Sequence, residues 1–308
     1  MKLFVKNDEQ PRKKMGCLWK TIIGVGIYFL FCGIFGLVMG NMMSTPKTVL
    51  EENTIYRIDM SGVLVDQVAE ENPFDALVGE IYGQTTTTVG LSDLLSNIAL
   101  AKDNDKVLGI YLRGGSLAAG PASAKALRDA LLDFKQSGKF IIAYADAYTQ
   151  TNYYIASVAD KMYLNAVGNI AWDGMTAQKQ YMTRLFEKIG IEMQILKVGT
   201  FKSAVEPYFR TSMSAEDRKQ TERYLGGIWS EVKTAVAQNR PITVEQLDAY
   251  ADECMSLQPQ HKYVDYGFVD TLVYVQDMDT VLRMYAGTKE YKQLNTSKMT
   301  NVKREKVD

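Results

Sequence analysis

From Thr21 to Pro46 the chain carries no charged side chain, and a basic cluster stands just before it. The apolar part, Thr21 to Met39, is 19 residues long, which is about 29 Å of helix at a rise of about 1.5 Å per residue. A bilayer's hydrocarbon layer is about 30 Å thick, so the segment predicts one transmembrane helix over 21–43. Lys2, Lys6, Arg12, Lys13, Lys14 and Lys20 against Asp8 and Glu9 give residues 1–20 a net charge of +4. That end should stay cytoplasmic, sending everything after Pro46 across the membrane. A cleaved signal peptide has the same charge order, but the apolar run is long and no small-x-small site follows Met39. An uncleaved signal anchor is the better reading. Gly36 and Gly40 are spaced to pack two such helices, and glycine is also simply common in membrane helices.

The whole chain has 308 residues and a formal net charge of -1, so the part beyond the basic segment carries -5. No basic surplus exists for nucleic acid. Hydrophobic residues make up 46%, enough to exclude a disordered chain. Cys17 and Cys32 belong to the anchor region, leaving Cys254 without an intradomain disulfide partner. His261 is the only histidine, which argues against a zinc site and against a Ser-His-Asp triad. Catalysis here needs another base.

After a linker over 44–52, the exported part reads as one α/β domain over 53–288, with a polar, frayed linker over 289–308. Asn53–Val65 alternates apolar and polar residues like a strand, and Pro73–Gly90 reads as a loop. Leu91–Ala101 is a predicted helix, Val107–Leu112 a buried strand, Ala122–Lys135 an amphipathic helix and Lys139–Ala145 a strand. Tyr153–Ala159 predicts a short helix, Lys161–Leu164 a strand, Gln178–Ile189 a helix and Glu192–Val198 a strand. Strands alternating with helices at this spacing imply parallel-strand units. Ser214–Asn239 is one long helical pattern with a polar cap at Ser214, and Glu216 and Asp217 lie in its first turn. Pro241 stops it. Val244–Tyr250 begins another helix, and Val269–Val275 returns as a strand.

One stretch stands out for chemistry: Val198-Gly199-Thr200-Phe201-Lys202-Ser203-Ala204-Val205-Glu206-Pro207. Its lysine would sit at a strand's C-terminal end among apolar residues, where α/β folds place ligands. The stretch resembles the lysine motif of the signal peptide peptidase A (protease IV) family. Arg113-Gly114-Gly115 after a strand, Tyr153-Tyr154-Ile155-Ala156-Ser157 opening a helix, Tyr163-Leu164-Asn165 and Gly267-Phe268-Val269-Asp270 extend the likeness over nearly the whole exported chain.

The resemblance implies a ClpP/crotonase-like fold of repeated β-β-α units behind a membrane anchor, in a bacterial inner membrane, and a Ser/Lys peptidase acting on cleaved signal peptides. It implies the N-terminal half of a long two-domain form, which supplies Lys202 as general base to a serine in a C-terminal half. It further implies a homo-oligomer, and a chemistry that needs no metal or organic cofactor. A free lysine is almost wholly protonated at neutral pH, so burial among apolar side chains would have to lower its pKa by about 3–5 units. Gln150-Thr151-Asn152 stands where the family's serine-bearing half has Ser-Gly-Gly, so Gln150 takes the nucleophile's place. Thr149 and Thr151 are poor substitutes, and Ser116, Ser157 and Ser203 read as turn or helix polar residues. Two other classes remain: a non-catalytic assembly module in which Lys202 pairs with Glu206, and a crotonase-type acyl-CoA enzyme.

Overall fold

The computed structural model describes residues 17–43, 48–68 and 87–302. The basic segment up to residue 16, most of the loop expected over 73–90, and the last six residues lie outside the described residues. The chain divides into two units at Thr48/Val49.

The first unit holds helix α1, Cys17–Met43. Its described side chains, residues 22–35, are all exposed, and Ile22, Phe29, Leu30, Phe31 and Phe35 among them are large and apolar. They span about 21 Å of helix. Among the described residues no helix is long and apolar enough to cross a membrane.

The second unit is built on a parallel sheet. Strands β1 (Thr54–Val65), β2 (Thr88–Gly90), β3 (Val107–Ala118), β4 (Phe140–Tyr148), β5 (Lys161–Ile170), β6 (Thr271–Leu272) and β7 (Lys292–Asn295) lie in the order β2-β1-β3-β4-β5-β6, with β7 also on β1. Every described pairing is parallel. Parallel strands need crossovers and are covered on both faces, hence the continuous apolar runs of β3 and β4. Helices α2 (Leu91–Asp103), α3 (Pro121–Lys135) and α4 (Gln150–Ala156) supply the crossovers. β1, β2 and α2 follow the β-β-α order; β3 and β4 are each followed directly by a helix.

Beyond β5 come α5 (Thr183–Lys188), a 3-10 turn over Ser203–Tyr208, α6 (Ala215–Ala237), α7 (Val244–Asp252), α8 (Gln260–Asp265), α9 (Met278–Ala286) and α10 (Thr296–Thr300). The main core lies between the sheet and α2, α3, α4 and α6. Its aromatic centre is Tyr153, Trp172 and Phe268. On the other face Ile55, Tyr111, Ile142 and Tyr163 pack under Met278 and Leu282 of α9.

Four expectations are corrected. The polar tail is not frayed from Lys289: β7 pairs with β1 from Thr54 to Arg57, and Met299 of α10 is fully buried. Asn97 in α2 holds α10 by donating to Thr300 Oγ1 at 2.8 Å. Residues 192–198 form no strand, because no sheet edge lies alongside to pair with them; Leu196 is 99% and Val198 89% exposed. The helix expected over Gln178–Ile189 shrinks to α5, and the strand expected over Val269–Val275 to β6.

Candidate active site

The sheet parts where β3 and β4 separate. Their pairing ends at Arg113 with Tyr144, while β1 follows β3 to Ala118 and β5 follows β4 to Tyr148. Gly114 and Gly115 lie in this fork, within β3. A Cβ at Gly114 would collide with the Ala145 side chain, and one at Gly115 with Ser61 Oγ, so only glycine permits this approach. Helix α4 begins at the fork, three residues earlier than the Tyr153 expected, because Thr149 caps it: its side chain accepts from Asn152 N at 3.2 Å. That engagement occupies the Thr149 hydroxyl. Gln150 is thus the first helical residue, and its Nε2 donates to Gly174 O at 3.1 Å. The buried Asn152 amide donates to Gly115 O and to Met60 O, tying α4 to β3 and β1, and its Oδ1 has no partner among the described residues.

Beside Gln150 and Thr151 runs an apolar groove of about 340 Å³, floored by Ala122, Tyr154, Met175, Gly227 and Ile228. Under it the buried Arg128 of α3 donates to Tyr154 O, Ser157 Oγ and Ala235 O, joining α3, α4 and α6. Ser157 therefore serves structure, and Ser116 is an exposed residue of β3.

Lys202 lies elsewhere, in a groove of about 600 Å³ shared with Lys179, Leu196, Lys197, Val198, Phe201, Ser203 and Gln220. The two grooves have no lining residue in common. Lys202 is exposed, contrary to the burial expected of it, since the segment before it packs against no sheet. Lys197 lines the same groove, with its Nζ 5.5 Å from the Phe209 ring centre. His261 is exposed on α8 and lines neither groove.

The pairing of Lys202 with Glu206 is not found. Glu206 is 1% exposed and turned to α6: Ser214 Oγ donates to Oε1 at 2.6 Å and Ser214 N to Oε2 at 3.1 Å. Burial pushes this carboxyl up, but the Ser214 hydrogen bonds outweigh it and hold the group below the usual glutamate value. Asp217, also 1% exposed, takes Lys179 Nζ on both oxygens. It too is held below its ordinary value, with burial opposing and Lys179 and Ser203 prevailing. Ser203 begins a 3-10 turn and is buried.

Glu206 and Lys179 were not legible as site residues, and Asp217 read only as a helix-start acid. A polar cap followed by acids is the ordinary mark of a helix N-terminus. What it hides is that the capping serine also receives a glutamate from eight residues upstream.

The Peptidase family S49 profile matches residues 133–289, just over half of the chain. Protease 4 of Haemophilus influenzae is 31% identical over 233 residues, 74% of this chain and 37% of that protein. Protease 4 of Salmonella typhi is 29% identical over 280 residues, 88% of this chain and 44% of that protein. The chain thus spans less than half the length of these curated relatives. A solved structure of a membrane-bound stomatin-specific protease aligns with 80% of this chain and 98% of its own, at 11% identity and a TM-score of 0.42. That structural likeness is too remote to carry weight. The profile carries the assignment: this chain belongs to peptidase family S49.

Proposed function

We propose that this chain is the lysine-bearing half of a membrane-anchored Ser/Lys peptidase that degrades cleaved signal peptides and other short extended peptides. The observation that carries the reading is Lys202 in an open groove beside Leu196, Val198 and Phe201, all exposed. Apolar side chains this exposed mark a surface made to be covered. A serine-bearing S49 half docked there would exclude water from Lys202, and burial of an ammonium favours its neutral form. The lysine then accepts the serine proton as the hydroxyl attacks the peptide carbonyl. This chain's own side chains argue for an outside nucleophile: Ser203 is buried, Thr149 caps α4, and Gln150 heads the helix. The charge-free run 21–46 supports an anchor with a cytoplasmic N-terminus, and the proposal includes a homo-oligomer.

The test is hydrolysis of a synthetic signal peptide by this chain co-expressed with a serine-bearing half. Lys202→Ala should cost at least about 10²–10⁴-fold in rate. Lys202→Arg should be as damaging, because arginine stays protonated near neutrality. Near-normal activity of Lys202→Arg would mean that only positive charge is needed, and the mechanism would fall. One observation favours a second reading, a non-catalytic assembly module: Gln150 at the head of α4. Under it Lys202→Ala leaves hydrolysis unchanged.

A further inference from the structure

The 3-10 turn Ser203–Tyr208 starts at the residue after Lys202, so wherever the turn is held, the lysine's backbone is held. The turn is a weak element by itself: six residues, with Pro207 inside. Lys202's own exposed side chain does not fix it by packing. What fixes it lies beneath, at the start of α6. Ser214, the N-cap of α6, accepts from Asp217 N at 3.1 Å while donating to Glu206. Asp217 pairs with Lys179, and the Ser203 hydroxyl, at the first residue of the turn, helps hold the Asp217 carboxyl below its ordinary value. The turn is therefore anchored to one helix end at Glu206, its fourth residue, beside a second carboxylate, Asp217, that is likewise almost fully buried.

Such an arrangement has a cost. Burying a carboxylate is unfavourable unless hydrogen bonds and countercharges compensate it, and a serine alone caps a helix adequately. Retaining both groups makes physical sense if they specify a position. We propose that Glu206 and Asp217 are positioning residues that set the place of Lys202 through the turn between them. The proposal rests on reading Lys202 as the base. It gives the Glu206 of the lysine motif a task other than the ion pair with Lys202: it points away from the groove and anchors the strip that carries the base. Lys179 has the complementary task of balancing Asp217, and Arg210 Nε stands 4.0 Å from Glu206.

The test uses this chain assembled with a serine-bearing half, as above. Glu206→Gln keeps the side chain's shape but turns an amide NH2 toward the Ser214 donors. Asp217→Asn does the same toward Lys179. A displacement of about 1 Å in a reacting group costs on the order of 10²-fold, so kcat should fall by about 10- to 10²-fold with KM little changed. The acid limb of the kcat/KM profile should also move to higher pH in Glu206→Gln, because a mis-seated lysine is better hydrated. The charged groups around Lys202 that bear on that limb are Lys179 and Lys197 in its groove, and Glu206, Arg210 and Asp217 behind it. Arg218→Ala, on the exposed side of the same helix, should leave rate and limb unchanged.

A loss of amplitude without movement of the limb would mean that Glu206 serves folding alone, and the proposal falls. Lys202→Ala inactive but Glu206→Gln normal in kcat and limb would overturn the positioning role while leaving Lys202 as the base. Lys202→Ala fully active would overturn the underlying reading instead. If Glu206→Gln fails to fold, Ser214→Ala removes the hydroxyl that donates to Glu206 Oε1 and accepts from Asp217 N but leaves Ser214 N on Oε2, and Ser203→Ala removes the buried hydroxyl at the start of the turn. They should show a several-fold fall in kcat with the same upward limb shift, and an unshifted limb in both overturns the proposal.

Discussion

The sheet body and the segment from Met175 to Arg210 treat their apolar residues in opposite ways. In the body, Ile55, Ile110, Ile141, Ile155 and Leu164 are wholly buried. In the later segment, Leu185, Ile189, Ile191, Leu196, Val198 and Phe201 are exposed. The segment is ordered by its own returns, Met182 N to Pro207 O at 2.8 Å and Thr183 Oγ1 to Arg210 O at 2.6 Å, and by the ties of Lys179 and Glu206 to the start of α6. The body has the architecture of a catalytic fork, with glycines at a strand end and a capped helix start, and Gln150 where a nucleophile would sit. The segment has the candidate base and little architecture of its own. Each region holds what the other lacks, and their grooves share no residue. On the proposed reading, that division is what a serine-bearing partner would bridge.

The sharpest way to break the comparison is to attack the body where it joins the helices. Arg128 is 1% exposed and its described contacts are carbonyl and hydroxyl oxygens, with the Tyr154 ring 5.0 Å away. Arg128→Met should remove three buried hydrogen bonds from a charged donor, at about 1–3 kcal/mol each before relaxation, while Ser157 Oγ still donates to Tyr154 O and Asn239 Nδ2 to Ala235 O. A loss of about 3–5 kcal/mol in urea unfolding is expected, with Lys202 no more and no less reactive toward an amine-acylating reagent. A loss below about 1 kcal/mol would show that the body does not depend on this tie.

Much of the body was legible in sequence because its determinants are local. The alternation of β1, the apolar runs of β3 and β4, Pro121 opening α3 and the Ser214 cap all act within a few residues. What was not legible depends on distant partners. Lys292-Gln293-Leu294-Asn295 looks like a tail until β1 offers a free edge more than two hundred residues away. Glu192–Val198 has a strand's pattern, but a pattern forms no strand without an edge to pair with. Lys202 was found by its motif, whereas its exposure follows from the missing sheet around it. The Glu206–Ser214 and Asp217–Lys179 contacts are tertiary and leave no periodic trace.

A second, smaller effect separates body from segment by pH. Asp270 accepts from Met162 N, Lys161 Nζ and Arg240 Nη1, each at 2.9 Å, and so ties β5 to the chain around β6. Burial raises its pKa, but those three donors outweigh burial and hold it below the ordinary aspartate value. A depressed carboxyl stabilises the fold above its unfolded pKa of about 3.9, and the contribution is lost as pH falls through the lower folded value. Asp270→Asn should therefore cost about 1.5–3 kcal/mol at pH 7. Its deficit relative to wild type should shrink as pH falls from about 5 toward 3. A deficit independent of pH would mean that the charge at Asp270 is not what holds this corner.

Smaller again is a gain. Gly227 lies inside the 23-residue α6 and faces the apolar groove, with nothing within 4 Å of where a Cβ would stand. Glycine there lowers helix stability with no packing need that the body shows. Gly227→Ala should raise stability by about 0.5–1 kcal/mol, read as a higher urea midpoint at unchanged slope. A destabilised variant would reveal that the groove closes on α6 in solution.

The smallest effect on stability tests the comparison most directly. Leu196 and Val198 are almost fully exposed, so replacing them removes little buried apolar area. Exposed substitutions of this kind usually shift stability by no more than about 0.5 kcal/mol. Leu196→Asn with Val198→Thr should thus leave the unfolding of this chain where it is. The same change should weaken its association with a serine-bearing half, because that is where these side chains would be covered. Sedimentation of the mixed halves and urea unfolding of the single chain read the two effects separately. If the double variant destabilised the single chain by about 2 kcal/mol, the segment would already be using those side chains for its own folding. The contrast between a self-sufficient body and an unpartnered segment would then fail.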